Sequence, residues 1–314
     1  MMKLSYVKKR LVSSVIVLFG TSLLTFALMS LAPGDPAMEI AIARYGDFSY
    51  LDKNTVEEIR ETYHLNKPFW VHYCYWVKNA VRLDLGQSIV DQVPVLDLIR
   101  KRFSRTLHLS IAAIFISLCL SFPLGIISGI KKGSCVDYLS VSLSVLGVSI
   151  PNYWLGFILI LVFGVYLQIL PCFGYGGIGH IVLPAITLGT AVTAYTTRVL
   201  RASTIEALSA EYLLSFKAKG ISDGKIILRH VLKNTLVPVV TVVGLEAGMI
   251  LEGAVITETV FAWPGIGELL VNAIKNRDYP LIQGTVLFST VVFILVNTIV
   301  DLLYAYLDPR IKLQ

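Results

Sequence analysis

Apolar residues gather along this chain into six runs, each at least the roughly 20 residues that an α-helix needs to cross a hydrocarbon core. They extend from Leu11 to Leu31, Thr106 to Ile130, Tyr138 to Leu170, Ile181 to Leu200, Thr235 to Ile256 and Gly284 to Tyr306. The third contains Pro151, within "GVSIPNYW", and must kink or break there, because proline offers no backbone N–H and clashes with the preceding turn. Lys8, Lys9 and Arg10 precede the first run, as they would in a secretory signal. The run is longer than the ~7–15 residues of a signal core and no small-x-small cleavage site is evident, so it reads as the first membrane helix. The pattern predicts an all-α polytopic membrane protein with six transmembrane helices.

The polar stretches between the runs have characters of their own. Residues 32–105 form one larger segment, expected outside, with ten Lys/Arg against ten Asp/Glu. "PGDPA" (Pro33 to Ala37) is a helix-stopping turn. "NTVEEIRETYHL" predicts a short helix capped at Asn54 or Thr55. "PFWVHYCYWVKNAV" is rich in aromatics, which fits an interfacial helix or a dock for an external partner. The predicted organisation is a tail and first span over 1–31, the external segment over 32–105, and a five-helix core over 106–314.

Composition agrees with the bilayer. The 314 residues are 55% hydrophobic and 15% charged, where soluble domains average about 25% charged. The net charge of +6 reflects cytoplasmic loops rather than nucleic acid, since loop Lys and Arg set orientation. From Arg198 to Lys233 seven Lys/Arg meet three Asp/Glu, whereas Thr257 to Gln283 has a net charge of −1. Both termini and the basic loop therefore fall on the cytoplasmic side. Cys74, Cys119, Cys135 and Cys172 show no CxxC pairing, which argues against zinc. Cys74 and Cys172 share the outer face in this topology; a disulfide and four unlinked thiols both remain open.

The cytoplasmic loop, 201–234, is the most informative polar segment. Ala202 to Lys219 reads as a helix ending in "KAKG", with Gly220 suited to the left-handed position that terminates helices. Lys217 and Lys219 face its negative end, and Ser222 and Asp223 suit the start of a second helix. Ile226, Ile227, Leu228, Val231 and Leu232 then form an apolar ridge flanked by Arg229, His230 and Lys233. Two short helices at an elbow imply a docking partner; a solvated linker is the plainer reading.

Here "EYLLSFKAKGISDGKIILRHVLKN" resembles the coupling loop of the dipeptide/oligopeptide/nickel family of ABC importer permeases. "LAPGDPA", "LDLGQSI", "VSIPNYW", "ETVFAWPGIG" and "NRDYPLIQG" resemble the family's signatures over nearly the whole chain, most closely those of nickel-type members. The loop departs from the family's Glu-Ala-Ala pattern at Leu214, Ser215 and Phe216. The resemblance implies a non-catalytic inner-membrane subunit for nickel or short peptides. It would pair with a second permease, two ATPase subunits that carry ATP and Mg, and an external substrate-binding protein. Lys217, Ala218, Lys219, Gly220, Ser222, Asp223, Arg229 and His230 are then the residues expected against the ATPases.

Within the membrane, Gly244 and Gly248 form a GxxxG pair whose row continues to Glu252. Glu246 lies about 200° around from Gly244, given ~3.6 residues per turn. A buried acid at this depth is costly, so Glu246 either lines the substrate path or is a hydrogen-bonded structural acid. Gly189, Thr193 and Thr197 form a second small-residue row, which fits packing or pore lining. Trp263, Arg277 and Asp278 are candidates for external docking or gating, with turn capping as the alternative for Arg277 and Asp278. The chain has no GxxxxGK[ST] motif, so it does not hold ATP in a P-loop. A proton-coupled secondary transporter using Glu246 and Glu252 is the competing class.

Overall fold

The computed structural model describes residues 4–31, 33–45, 52–62 and 66–307. Among them the regular elements are helical. In chain order they open with α1 (Leu4–Ser30), α2 (Pro36–Tyr45), α3 (Lys53–Thr62) and α4 (Phe69–Val81). Next come α5 (Val95–Ile130), α6 (Cys135–Ser149), α7 (Asn152–Leu159) and α8 (Ile178–Leu208). The remainder is α9 (Tyr212–Ala218), α10 (Asp223–Ile226), α11 (Leu232–Val260), α12 (Ile266–Lys275) and α13 (Tyr279–Leu307).

Among the described residues four helices, α1, α5, α8 and α13, are long and apolar enough to span a membrane, and a fifth span is reached if α6 counts as one with Asn152–Tyr166, which is α7 and the π-helical turns that continue it. The apolar windows of α1 and α13 are each only 11% buried, so most of their side chains are free to face lipid. Pro151 breaks the third run as expected. Ile150 is forced into extended backbone (φ −83°, ψ 123°), Pro151 sits at the N-cap of α7, and the two helices meet at 105°. The fifth predicted run lies on α11, whose side chains from Leu251 to Gly253 are outside the described ones.

Three boundaries differ from expectation. α5 begins at Val95, so the cationic stretch Arg100–Arg105 is helical rather than loop. Its 36 residues, which include Pro123, correspond to about 54 Å of helix at ~1.5 Å per residue, more than the hydrocarbon thickness requires, so polar first turns are tolerated. α3 starts at Lys53, and the Asp52 carbonyl accepts from the Thr55 and Val56 N–H groups, so the helix begins one to two residues before the expected cap at Asn54 or Thr55. The predicted helix over 202–219 is two pieces, because α8 runs on to Leu208 and the chain turns before α9.

The chain divides into two compact units. One comprises the chain up to Arg105 with Pro264–Leu295, the other Thr106–Trp263 with the chain from Val296. In the first, α4 packs on α1 through Phe26 and Tyr73, both buried, and the Ser22 hydroxyl lies 2.8 Å from the Tyr73 hydroxyl. The aromatic segment thus faces inward on one side, while Trp70 and Tyr75 stay exposed. Val95 and Ile99 of α5 pack with Ile266, Leu269 and Ala273 of α12 and with Leu281 and Ile282 of α13.

In the second unit α8 packs against α6, α7 and α11. Its core joins Leu109 and Ala113 of α5, Leu188 and Val192 of α8, and Ile250 and Ala254 of α11. Glycine sets the distance between α5 and α8. A Cβ on Gly189 would lie 2.7 Å from the Ala113 carbonyl oxygen, and one on Gly125 2.5 Å from the Leu200 Cβ. Replacing Gly189 with leucine should cost about 1–3 kcal/mol by overpacking and lower the thermal midpoint of the detergent-solubilised protein. Gly20→Leu, where a Cβ meets nothing within 4 Å, should leave that midpoint unchanged.

Candidate functional site

The segment between α8 and α11 folds as an elbow with its own small core. Ala207, from the last turn of α8, is buried with Leu213, Ile226 and Val231, and Phe216 and Ile221 pack against them. Gly220 has φ +74°, and the Ile221 N–H donates to the Phe216 carbonyl at 3.1 Å. That is the six-to-one bond of a Schellman stop, with Phe216 and Ile221 supplying its usual hydrophobic contact. Ser222 takes the N-cap position of α10 in extended backbone, although its side chain makes no capping bond. The chain then passes through a π-helical stretch, Ile227–Val231, into α11.

The ridge predicted for the second helix is not a surface feature. Ile226 and Val231 are 2% and 1% exposed because they close the elbow's own core, which leaves Leu228 outward at 71%. Lys219, Lys225, Arg229 and Lys233 are likewise exposed, as are Ala218, Gly220, Ser222 and Asp223. His230 is half-buried, its ring stacked on Phe216 with centroids 4.2 Å apart. The side chain of Lys217 lies outside the described ones.

A buried ion pair sits at the ends of the helices that support the elbow. Asp137, in the first turn of α6, is 3% exposed. It accepts from Arg201 of α8 through Nε at 2.5 Å and Nη2 at 2.9 Å. Ser128 of α5 donates to the same carboxylate at 2.5 Å and the Gly133 N–H at 2.9 Å. One carboxylate therefore ties α5, α6 and α8.

Of the residues expected within the membrane, Glu246 is 8% exposed on α11. The Glu252 side chain lies outside the described residues. The GxxxG row faces α13: a Cβ on Gly244 would meet Val300 at 3.4 Å, and one on Gly248 would meet Asn297 at 3.9 Å. In α8, the Thr193 hydroxyl donates to the Gly189 carbonyl one turn back, and Thr197 is buried. Gly189 and Thr197 thus meet α5 in a packing seam.

Two candidates for external docking lie in the interior instead. Trp263 is 2% exposed, with its ring edge-on to Tyr175 at 4.9 Å; it follows a turn at the end of α11 in which Ala262 has φ +47° and the Trp263 N–H donates to the Glu258 carbonyl at 2.8 Å. Asp278 is 1% exposed and accepts from the Ser88 hydroxyl at 2.5 Å and the Ile89 N–H at 3.1 Å, while capping α13 through the Leu281 N–H. Arg277, at φ +51°, donates to the Pro33 carbonyl at 2.9 Å. Three sequence signatures, "LAPGDPA", "LDLGQSI" and "NRDYPLIQG", converge on this one junction. "ETVFAWPGIG" is anchored separately in the second unit, where buried Glu258 accepts from Thr106 at 2.6 Å.

Among the described residues, several span-length helices and an exposed polar elbow between α8 and α11 give the architecture of a polytopic membrane protein. Comparison with known proteins makes this specific. The chain belongs to the family described as "Binding-protein-dependent transport system inner membrane component", which matches residues 121–313, and the family's N-terminal component matches residues 2–110. It is thus a permease of the ABC importer type. It is 40% identical over 309 residues to the glutathione transport system permease protein GsiC of Escherichia coli strain K12 and to that of Shigella dysenteriae serotype 1. Each match covers 98% of this chain and 99% of the relative. A solved structure, the MetNI methionine ABC transporter in inward-facing conformations, shares the fold with a TM-score of 0.57 and 15% identity. That match covers 68% of this chain and 97% of the other.

The Asp137–Arg201 pair went unread in the sequence, although a signal was present. "SCVD" (Ser134 to Asp137) is an [ST]-x-x-[DE] start, and Ser134 is the N-cap of α6. What the pattern does not show is that the acid reaches Arg201, 64 residues on. Replacing Asp137 with alanine leaves Arg201 unpaired and should cost about 3 kcal/mol, the low end for a buried pair because Arg201 is 29% exposed. Joint replacement of both residues by leucine should recover part of that loss in the same thermal-shift measurement.

Proposed function

We propose that this chain is one of two permease subunits of an ATP-driven, binding-protein-dependent importer of short peptides. Its elbow, within residues 201–234, seats against cytoplasmic ATPase subunits that hold ATP and Mg. In this reading six helices cross the bacterial inner membrane, both termini are cytoplasmic, and residues 32–105 meet the binding protein outside. The observation that carries it is the elbow: a small core fastened to the end of α8, a left-handed stop at Gly220, and Leu228 exposed together with Lys219, Lys225, Arg229 and Lys233.

The substrate class follows from the relatives, named for glutathione, a tripeptide thiol. We therefore favour short peptides over the nickel-type cargo implied by the signatures. Within the membrane we assign Glu246 and Thr193 to the path, while Gly244 and Gly248 are turned to α13. Family membership gives no support to a proton-coupled carrier using Glu246 and Glu252.

Reconstitution of the complete transporter in proteoliposomes tests both claims. ATP-dependent uptake of labelled glutathione or dipeptide, without uptake of nickel, is expected; nickel uptake alone would overturn the peptide reading. Gly220→Val forces a β-branched residue into left-handed backbone, at a cost of about 1–2 kcal/mol. It should cut uptake at least tenfold while ATP hydrolysis continues and the binding protein still captures substrate. Undiminished uptake would show that the elbow is not where the ATPases act.

A further inference from the structure

The first unit contains a cavity of about 450 Å³, lined in part by residues of the three signatures that converge there. Its size is within the ~300–1,000 Å³ range of small-molecule sites. It lies between α1, α2, α4 and the start of α13, beside the loop held by Asp278. The lining is of three kinds. Phe26, Phe69 and Trp76 give an aromatic wall, and the indole N–H of Trp76 is withdrawn from solvent and has no hydrogen-bond acceptor among the described residues. Asn79, Gln87 and Gln283 contribute three primary amides, each both donor and acceptor. Charges of both signs border them, including Lys67, whose ammonium lies 4.8 Å above the Tyr75 ring, and Asp84.

We propose that this cavity is a second binding site for the transported short peptide, outside the membrane path and independent of the binding protein. The chemistry on its walls matches that ligand part by part. Primary amides pair with peptide groups, which likewise carry one donor and one acceptor. Lys67 meets the terminal carboxylate and Asp84 the terminal ammonium. The aromatic wall receives side chains, and a ligand carbonyl gives the Trp76 N–H the acceptor that its burial otherwise denies it. An apolar ligand would strand the amides, and a simple ion would leave the aromatic wall unused. The inference rests on the peptide reading above and adds a site to it.

The test uses the assembled transporter in nanodiscs without binding protein, with labelled glutathione and alanyl-alanine as probes in equilibrium dialysis. Saturable binding is expected, weakened about tenfold by Lys67→Gln and by Gln87→Ala, and weakened similarly when the peptide termini are acetylated and amidated. No saturable binding, or binding indifferent to both substitutions, overturns the proposal. So does displacement by short-chain phosphatidylethanolamine as effective as displacement by unlabelled peptide, which would make the cavity a lipid site. Peptide uptake by the complete transporter is measured in parallel. Uptake without binding to this cavity removes the second site alone, whereas absence of both removes the peptide reading as well.

Discussion

Between helices in an apolar solvent there is little hydrophobic drive, because lipid tails are as apolar as leucine; contact must be won by close approach. The α5–α8 seam is where this protein meets that constraint. Gly125, Gly129 and Gly189 leave no room for a Cβ, so backbone lies against the opposing helix and dispersion acts over the whole contact. The rest of the second unit is arranged on this seam. α8 also carries α6, α7 and α11, and its last turn enters the elbow's core. Bulk on either side of the seam would move every element that α8 positions.

Buried carboxylates supply what dispersion lacks, which is direction. Asp137, Glu258 and Asp278 are 3%, 0% and 1% exposed, and each accepts from a residue distant in sequence. A buried charge is tolerable only when paired or well hydrogen-bonded, so each acid admits few alternative arrangements around it. Asp278 illustrates the economy of this device. One side chain caps α13, holds the Ser88–Ile89 loop and, through its neighbour Arg277, fixes the turn at Pro33. Three signatures that look unrelated along the chain are parts of one junction.

Much of the helical architecture was legible because its signals are local. Apolar run length gives spans, Pro151 gives a break, and glycine after "KAKG" gives a left-handed stop at Gly220. The elbow was legible for the same reason, down to the residue that ends its first helix. What escaped is what depends on partners far along the chain. The periodicity of Ile226, Leu228 and Val231 does not say which side is core, and the elbow's own fold reverses the expected ridge. Trp263 beside a proline reads as interfacial, yet Tyr175 and the end of α11 enclose it. Asp137 reads as a cap residue, and only the fold brings Arg201 to it.

The two ends of the elbow are joined to the membrane helices in different ways. On the α8 side, Ala207 and Leu208 are packed with the elbow's core, and Arg201, less than two turns earlier, is held by Asp137. That connection is stiff, since close-packed interiors transmit strain rather than absorb it. On the α11 side the chain passes through the π-helical stretch Ile227–Val231, a less regular turn of the kind found where helices adapt. Packing thus couples the elbow's core directly to α8, whereas Val231, buried in that same core, leads into α11 through irregular backbone.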